Sequence, residues 1–173
     1  MTSLDERKNN GIPDAKLPDH EPWDAVRGAE IIAEHAGLEG ATLVMLHALQ
    51  EAFGYVPEPA IPMIAAALNL SRAEVYGVFT FYHDFRKQPA GRHVLKLCRA
   101  EACQAAGGDA LAERCEERLG IALGETTADA QVTLEPIYCL GLCAVAPAAM
   151  LDGRVIGRLD EPRIDGLVAE AQR

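Results

Sequence analysis

The sequence contains no apolar run long enough to cross a bilayer, which takes about 20 residues. Its longest apolar stretches are short and broken by charge. Met1 to Asn10 is polar and charged and has no apolar h-region, so no secretory leader is expected. No Gly-x-Gly-x-x-Gly follows a strand-like segment and no Walker motif occurs, which leaves no nucleotide cradle. There is no Ser–His–Asp arrangement and no paired-carboxylate motif, so no catalytic residue is expected. The histidines at 20, 35, 47, 83 and 93 show no metal-ligand spacing. Internal repeats and low-complexity stretches are also missing.

Basic charge is scarce. There are 16 Lys+Arg against 26 Asp+Glu, for a net charge of -10. The deficit runs through both halves: 7 basic and 13 acidic residues up to Gly91, then 9 and 13. Without a basic stripe, binding to a nucleic-acid backbone lacks its main driving force, and an anionic lipid surface is disfavoured for the same reason. Ile61 to Phe79 resembles a helix-turn-helix in outline but holds Arg72 as its single basic residue, so it reads as an ordinary packed helix pair. The acidic balance suits docking on a basic protein partner.

Four helices are expected in the first half. One runs from Trp23 to His35, with Pro22 in its first turn and Gly37 at its end. A second spans about Ala41 to Phe53, with Leu46, Leu49 and Phe53 on one face. A third lies between Pro59 and Leu68. Ser71 and Glu74 form an S-x-x-E capping box that opens the fourth. That helix merges into the aromatic run Phe79, Phe81, Tyr82 and Phe85, which reads as a partly buried interface because His83, Asp84 and Arg86 interleave with it. The pattern changes near Pro89 and Gly91. His93 to Leu97 and Val132 to Tyr138 read as strands, and Gly107 to Leu119 as a helix. Asp152-Gly153 marks a tight hairpin turn between Ala149–Leu151 and Val155-Ile156. Pro162 to Gln172 closes the chain as a helix. The expected organisation is α+β, with a flexible tail over 1–21, a helical bundle over 22–90 and an α/β domain over 91–173.

Five cysteines, an odd number without an export signal, argue against a disulfide scaffold and for metal or redox chemistry in the cytoplasm. Cys98-x4-Cys103 follows the first strand of the second module and Cys139-x3-Cys143 follows the second strand, so each pair is expected where a strand gives way to a loop. A [2Fe–2S] cluster needs four thiolates, two on each tetrahedral iron. Gly141 permits close approach of backbone N–H groups to sulfur, and Leu140, Leu142 and Val145 would screen water. Structural zinc is the competing reading, although zinc loops favour shorter spacings. A dithiol oxidoreductase would want Cys-x-x-Cys near a helix start, which is absent. Four unrelated buried cysteines is the bland alternative. Cys115 falls on the apolar face of a helix and reads as a small core residue.

The segments Cys98-Arg-Ala-Glu-Ala-Cys103, Cys139-Leu-Gly-Leu-Cys143 with Ala146-Pro147, and Phe81-Tyr82-His83-Asp84-Phe85 resemble the thioredoxin-like [2Fe–2S] subunit family, over most of the chain from about Trp23. The resemblance implies a thioredoxin-like second domain and one [2Fe–2S] cluster on Cys98, Cys103, Cys139 and Cys143. It also implies a non-catalytic, electron-transferring role beside an FMN- and NAD(H)-binding partner subunit. Within the family, Cys-Arg-Ala-Glu-Ala-Cys looks most like the gamma subunit of soluble NAD-dependent formate dehydrogenase. That likeness implies a larger formate-oxidising partner holding molybdenum cofactor. The equivalent subunit of an NADH:quinone oxidoreductase or an NAD-reducing hydrogenase is the first alternative, and a zinc-stabilised adaptor without redox function the second.

Overall fold

The computed structural model describes residues 20–173. They fall into two compact units, one ending at Ala90 and the other running from Gly91 to Arg173.

The first unit consists of helices α1 (Ala25–His35), α2 (Ala41–Phe53), α3 (Ala60–Leu68) and α4 (Arg72–Phe81). α1 starts two residues later than the sequence suggested. The Asp24 carboxylate accepts the Arg27 N–H at 2.8 Å and caps the helix there, leaving Pro22 outside it. Most of the tail expected over 1–21 lies outside the described residues. Its last two residues do not behave as a tail: the Glu21 N–H donates to the Ala52 carbonyl at 2.9 Å, and His20 Nδ1 lies 3.2 Å from the Glu51 carbonyl. Met45, Leu46, Leu49 and Phe53 line the buried face of α2 and meet Ile31, Ile32, Ile61, Ile64, Val75 and Phe79.

The capping box on α4 is reciprocal. The Glu74 N–H donates to Ser71 Oγ at 3.2 Å, and the Ser71 N–H donates to the Glu74 carboxylate at 2.8 Å. Hydrogen bonds from the Ser71 backbone and side chain hold the Glu74 carboxyl below its ordinary range. Ser71→Ala is expected to cost ~1 kcal/mol of stability, seen as a lower denaturation midpoint. The aromatic run divides at the end of α4, where Tyr82 leaves helical dihedrals. Phe79 and Phe85 are buried, whereas Phe81 and Tyr82 are exposed. Gln50 fixes the returning chain, donating from Nε2 to the Asp84 carbonyl at 2.8 Å and accepting the Arg86 N–H at 2.7 Å.

The second unit contains strands β1 (His93–Cys98), β2 (Val132–Ile137), β3 (Ala149–Leu151) and β4 (Arg154–Ile156). Its helices are α5 (Glu101–Ala105), α6 (Gly108–Leu119) and α7 (Glu161–Ala171). The sheet order is β2-β1-β3-β4. β1 and β2 are parallel, and the other pairings are antiparallel. A parallel pair cannot be joined by a tight turn, and α5 with α6 supplies the crossover. β2 is an edge strand, which accommodates Pro136 because only one side must hydrogen-bond. It ends at Ile137 rather than Tyr138, whose side chain is exposed. Asp152 and Gly153 both take positive φ, 49° and 86°, as the Asp-Gly hairpin requires. Leu95 and Leu97 of β1, Val132 and Leu134 of β2, and Ala149 and Leu151 of β3 pack against Leu111, Cys115, Ile164 and Val168. The architecture is therefore α+β, with N-terminal helices followed by a mixed, thioredoxin-like sheet flanked by helices. Among the described residues, no helix is long and apolar enough to cross a membrane.

α6 and α7 are joined by charge. Arg114 makes a bidentate pair with Asp165, both distances 2.8 Å, and Arg118 reaches the same carboxylate at 2.6 Å. The Arg114 hydrogen bond, ahead of that from Arg118, holds the Asp165 carboxyl far below the usual range. A carboxyl depressed on folding stabilises the protein above its unfolded pKa of about 3.9, and this contribution is lost as pH falls further. Asp165→Asn is therefore expected to lower the melting temperature at pH 7 and to have progressively less effect below about pH 4. An equal effect at both pH values would contradict this.

Candidate metal centre

β1 and β2 run parallel, with Cys98 in register with Ile137, so both strands end at the same edge of the sheet. Cys98 is the last residue of β1, and Cys139 follows β2 by two residues. Chain direction alone thus brings the start of both cysteine segments together. Ligand-bearing loops at the C-terminal ends of parallel strands are a recurrent outcome of this geometry.

The first pair does not sit in a loop. Cys98 lies within the sheet, where its N–H donates to the Ala148 carbonyl at 3.0 Å. Cys103 lies in α5, a helix too short to register as sequence periodicity, and its N–H donates to the Ala100 carbonyl at 2.9 Å. Both side chains are nearly inaccessible, at 5% and 2% exposure. They form a small apolar cluster with Ala148, against which Ala100, Ile137, Leu140, Leu142 and Ala146 pack. Leu140 and Leu142 thus lie against the buried thiols, whereas Val145, grouped with them from the sequence, is not part of this cluster.

The second pair is exposed. Cys143 opens a short 3-10 turn through Val145, and Cys139 and Cys143 place their sulfurs 3.8 Å apart. That separation is about the edge of a tetrahedron with ~2.3 Å metal–sulfur bonds and far beyond a disulfide's ~2.05 Å. All five cysteines are free thiols. Cys139 takes φ 91° and Gly141 φ 76°. The backbone folds tightly around the sulfurs as a result: the Gly141 N–H donates to Cys139 Sγ at 3.4 Å, and the amides of Cys139 and Leu140 serve Cys98. A non-glycine residue at positive φ is uncommon and marks a conformation imposed by its surroundings.

Electrostatics tie the four thiols into one set. Burial pushes Cys98 up, but the combined hydrogen bonds from the Ala100 N–H, the Cys103 thiol and the Leu140 and Cys139 N–H groups bring it below the ordinary thiol value. Burial is the first cause that raises Cys103, followed by its hydrogen bond to Cys98 and by the charges of Cys98 and Cys143. Cys143 is raised chiefly by its hydrogen bond with Cys139 and by that thiol's charge, with a smaller effect from Cys98. Among the described residues, no three His, Cys, Asp or Glu side chains converge as ligands of a single ion would. The donor set is two pairs of soft sulfurs, with backbone N–H groups aimed at sulfur and apolar side chains against water. That chemistry fits a two-iron, two-sulfide cluster, which takes one thiolate pair on each iron. Cys115, with no exposure, stays apart in the core between α6, α7 and the sheet, and burial pushes its thiol up to about 12. The pair spacing revealed the thiols. The short helix around Cys103 and the positive φ of Cys139 left no mark in the sequence.

Residues 28–172 match the family model described as Thioredoxin-like [2Fe-2S] ferredoxin. An NADH-quinone oxidoreductase subunit of Pseudomonas aeruginosa is 39% identical over 127 residues, 73% of this chain and 75% of the relative. The HndA subunit of the NADP-reducing hydrogenase of Solidesulfovibrio fructosivorans is 28% identical over 92% of this chain and 95% of its own length. Among solved structures, an air-oxidized NAD+-reducing [NiFe]-hydrogenase superposes with TM-score 0.62 at 30% identity, over 76% of this chain. The match spans 22% of that hydrogenase chain.

Proposed function

This chain belongs to the thioredoxin-like [2Fe–2S] ferredoxin family, which implies one [2Fe–2S] cluster. On that premise we propose that Cys98, Cys103, Cys139 and Cys143 are its ligands. We further propose that the chain is an electron-transfer subunit next to a flavin- and NAD(H)-binding partner. The observation that carries the reading is the meeting of two thiol pairs at one end of the parallel strands β1 and β2. When bound, such a cluster accepts and donates one electron at a time. Cys98 and Cys103 hold the buried side and receive most of the backbone N–H donors. Cys139 and Cys143 form the side open to a partner, beside exposed Tyr138. The short path a partner's redox group needs therefore lies over residues 138–144.

The relatives named above are subunits of NADH-quinone oxidoreductases and hydrogenases, so a complex of that type is the reading they favour. A soluble NAD-dependent formate dehydrogenase with a molybdenum-containing subunit is the second reading. It rests on one feature, the segment Cys98-Arg-Ala-Glu-Ala-Cys103. Both are tested by purifying the native assembly without oxygen and assaying NAD+ reduction with hydrogen or formate, and NADH oxidation with a quinone. The chain should be red-brown and carry two irons and two sulfides. A folded, colourless chain with one bound zinc would overturn the cluster reading in favour of an adaptor. Formate-dependent NAD+ reduction would move the assignment to the second reading.

A further inference from the structure

Two glycines press against the cysteine segments in a way their neighbours do not explain. Gly108 opens α6 and is buried. A Cβ built on it would stand 2.6 Å from the Cys103 carbonyl oxygen and 3.0 Å from its carbonyl carbon. Both are backbone atoms, in a short helix already anchored by the Cys103 N–H bond to Ala100, so nothing there can swing aside. Gly157 faces the other pair. Its Cβ would stand 2.6 Å from Val145 Cγ2 and 2.9 Å from the Val145 carbonyl oxygen. Val145 ends the turn that Cys143 begins, and the Arg158 N–H holds its carbonyl at 2.6 Å while the Leu159 N–H holds that of Pro147 at 3.1 Å. By contrast, a Cβ at Gly77 or Gly166, each inside a helix, would meet nothing within 4 Å.

We infer that Gly108 and Gly157 are positioning residues for the centre: the missing Cβ lets α6 and the 157–159 strap close against the chain on which Cys103 and Cys143 stand. The inference rests on the proposed ligand set. One glycine serves each thiol pair, so an added methyl displaces one pair relative to the other. Displacing the support of a metal ligand commonly costs on the order of tenfold or more in metal affinity.

The test uses the full chain, loaded with iron and sulfide, as wild type and as Gly108→Ala, Gly157→Ala, Gly157→Ala/Val145→Ala and Gly166→Ala. Visible circular dichroism, electron paramagnetic resonance of the reduced chain and iron retention against a chelator are compared with thermal melting of the unloaded chain. Gly108→Ala and Gly157→Ala should alter the spectra and lose iron on the order of tenfold more readily. Gly166→Ala should leave the spectra unchanged. Val145→Ala should partly restore the Gly157→Ala spectrum, a rescue that general destabilisation does not produce. If Gly108→Ala fails to fold, the Gly157 pair of variants decides the matter. Wild-type spectra and iron retention in both single alanine variants would overturn the inference. A folded wild type that takes up no chromophore would instead overturn the ligand assignment.

Discussion

Cys139→Ser is expected to strip the chain of its iron and sulfide, whereas Cys115→Ser leaves both in place. A serine oxygen is a harder donor than thiolate and suits iron–sulfur chemistry poorly. At position 139 the loss is compounded, because its sulfur is the acceptor of the Gly141 N–H and sits 3.8 Å from Cys143. In the proposed ligand set, removing one member would leave a single thiolate for the iron on that side. Cys115 differs in every respect that matters. It is fully buried among Leu95, Leu111 and Val168, and its thiol, pushed up to about 12 by burial, stays protonated at neutral pH. Ferrozine and sulfide assays on anaerobically purified variants, with the visible spectrum alongside, decide the matter. Retained iron in Cys139→Ser together with loss in Cys115→Ser would reassign the ligands. In the unloaded wild-type chain, iodoacetamide should modify exposed Cys139 and Cys143 well before Cys115.

The second large effect lies in the helical unit. Phe53→Ala is expected to cost ~3–5 kcal/mol, read as a fall in the guanidinium midpoint. Phe53 is 1% exposed, and its ring meets Trp23 edge-on at 5.0 Å between centroids. Alanine would leave a cavity bounded by α2 and the residues packed on it, and would unseat Trp23 from its partner. Net stability runs at ~0.05–0.15 kcal/mol per residue, so one such deletion rivals the whole margin of a small helical unit. Phe81→Ala supplies the contrast. Phe81 is 72% exposed, and its loss should stay within ~0.5 kcal/mol. Similar costs for the two would contradict the burial pattern.

The features that could be read in advance were those written in local chemistry. Ser71 and Glu74 announced a helix start because the cap is a contact between neighbours in sequence. Asp152-Gly153 announced a hairpin because few residues tolerate two positive φ values in succession. The cysteine pairs were visible through spacing alone. What stayed hidden was non-local or too short. α5 is five residues long and buries only Cys103, so no apolar period could betray it. The position of β1 between β2 and β3 depends on pairings made across the whole unit. Gly108 looked like nothing more than a helix start, because the Cys103 carbonyl that forbids a side chain there is brought to it by the fold. α1 began late because a good cap at Asp24 outweighed a permissive proline at 22.

The parallel pairing of β1 with β2 governs when the thiols can meet. Thirty-three residues separate Cys98 from Val132, and the whole crossover must be traversed before the second strand can align. Closing such a segment carries an entropic penalty that is offset only once the long-range contacts form. Neither cysteine segment is a self-sufficient knuckle that a metal could nucleate, as happens in small zinc-dependent folds. A nascent chain ending before Val132 offers one pair of sulfurs and no second. With the proposed ligand set, the centre is a late product of chain topology, and loading with iron tests whether the strands have found their register.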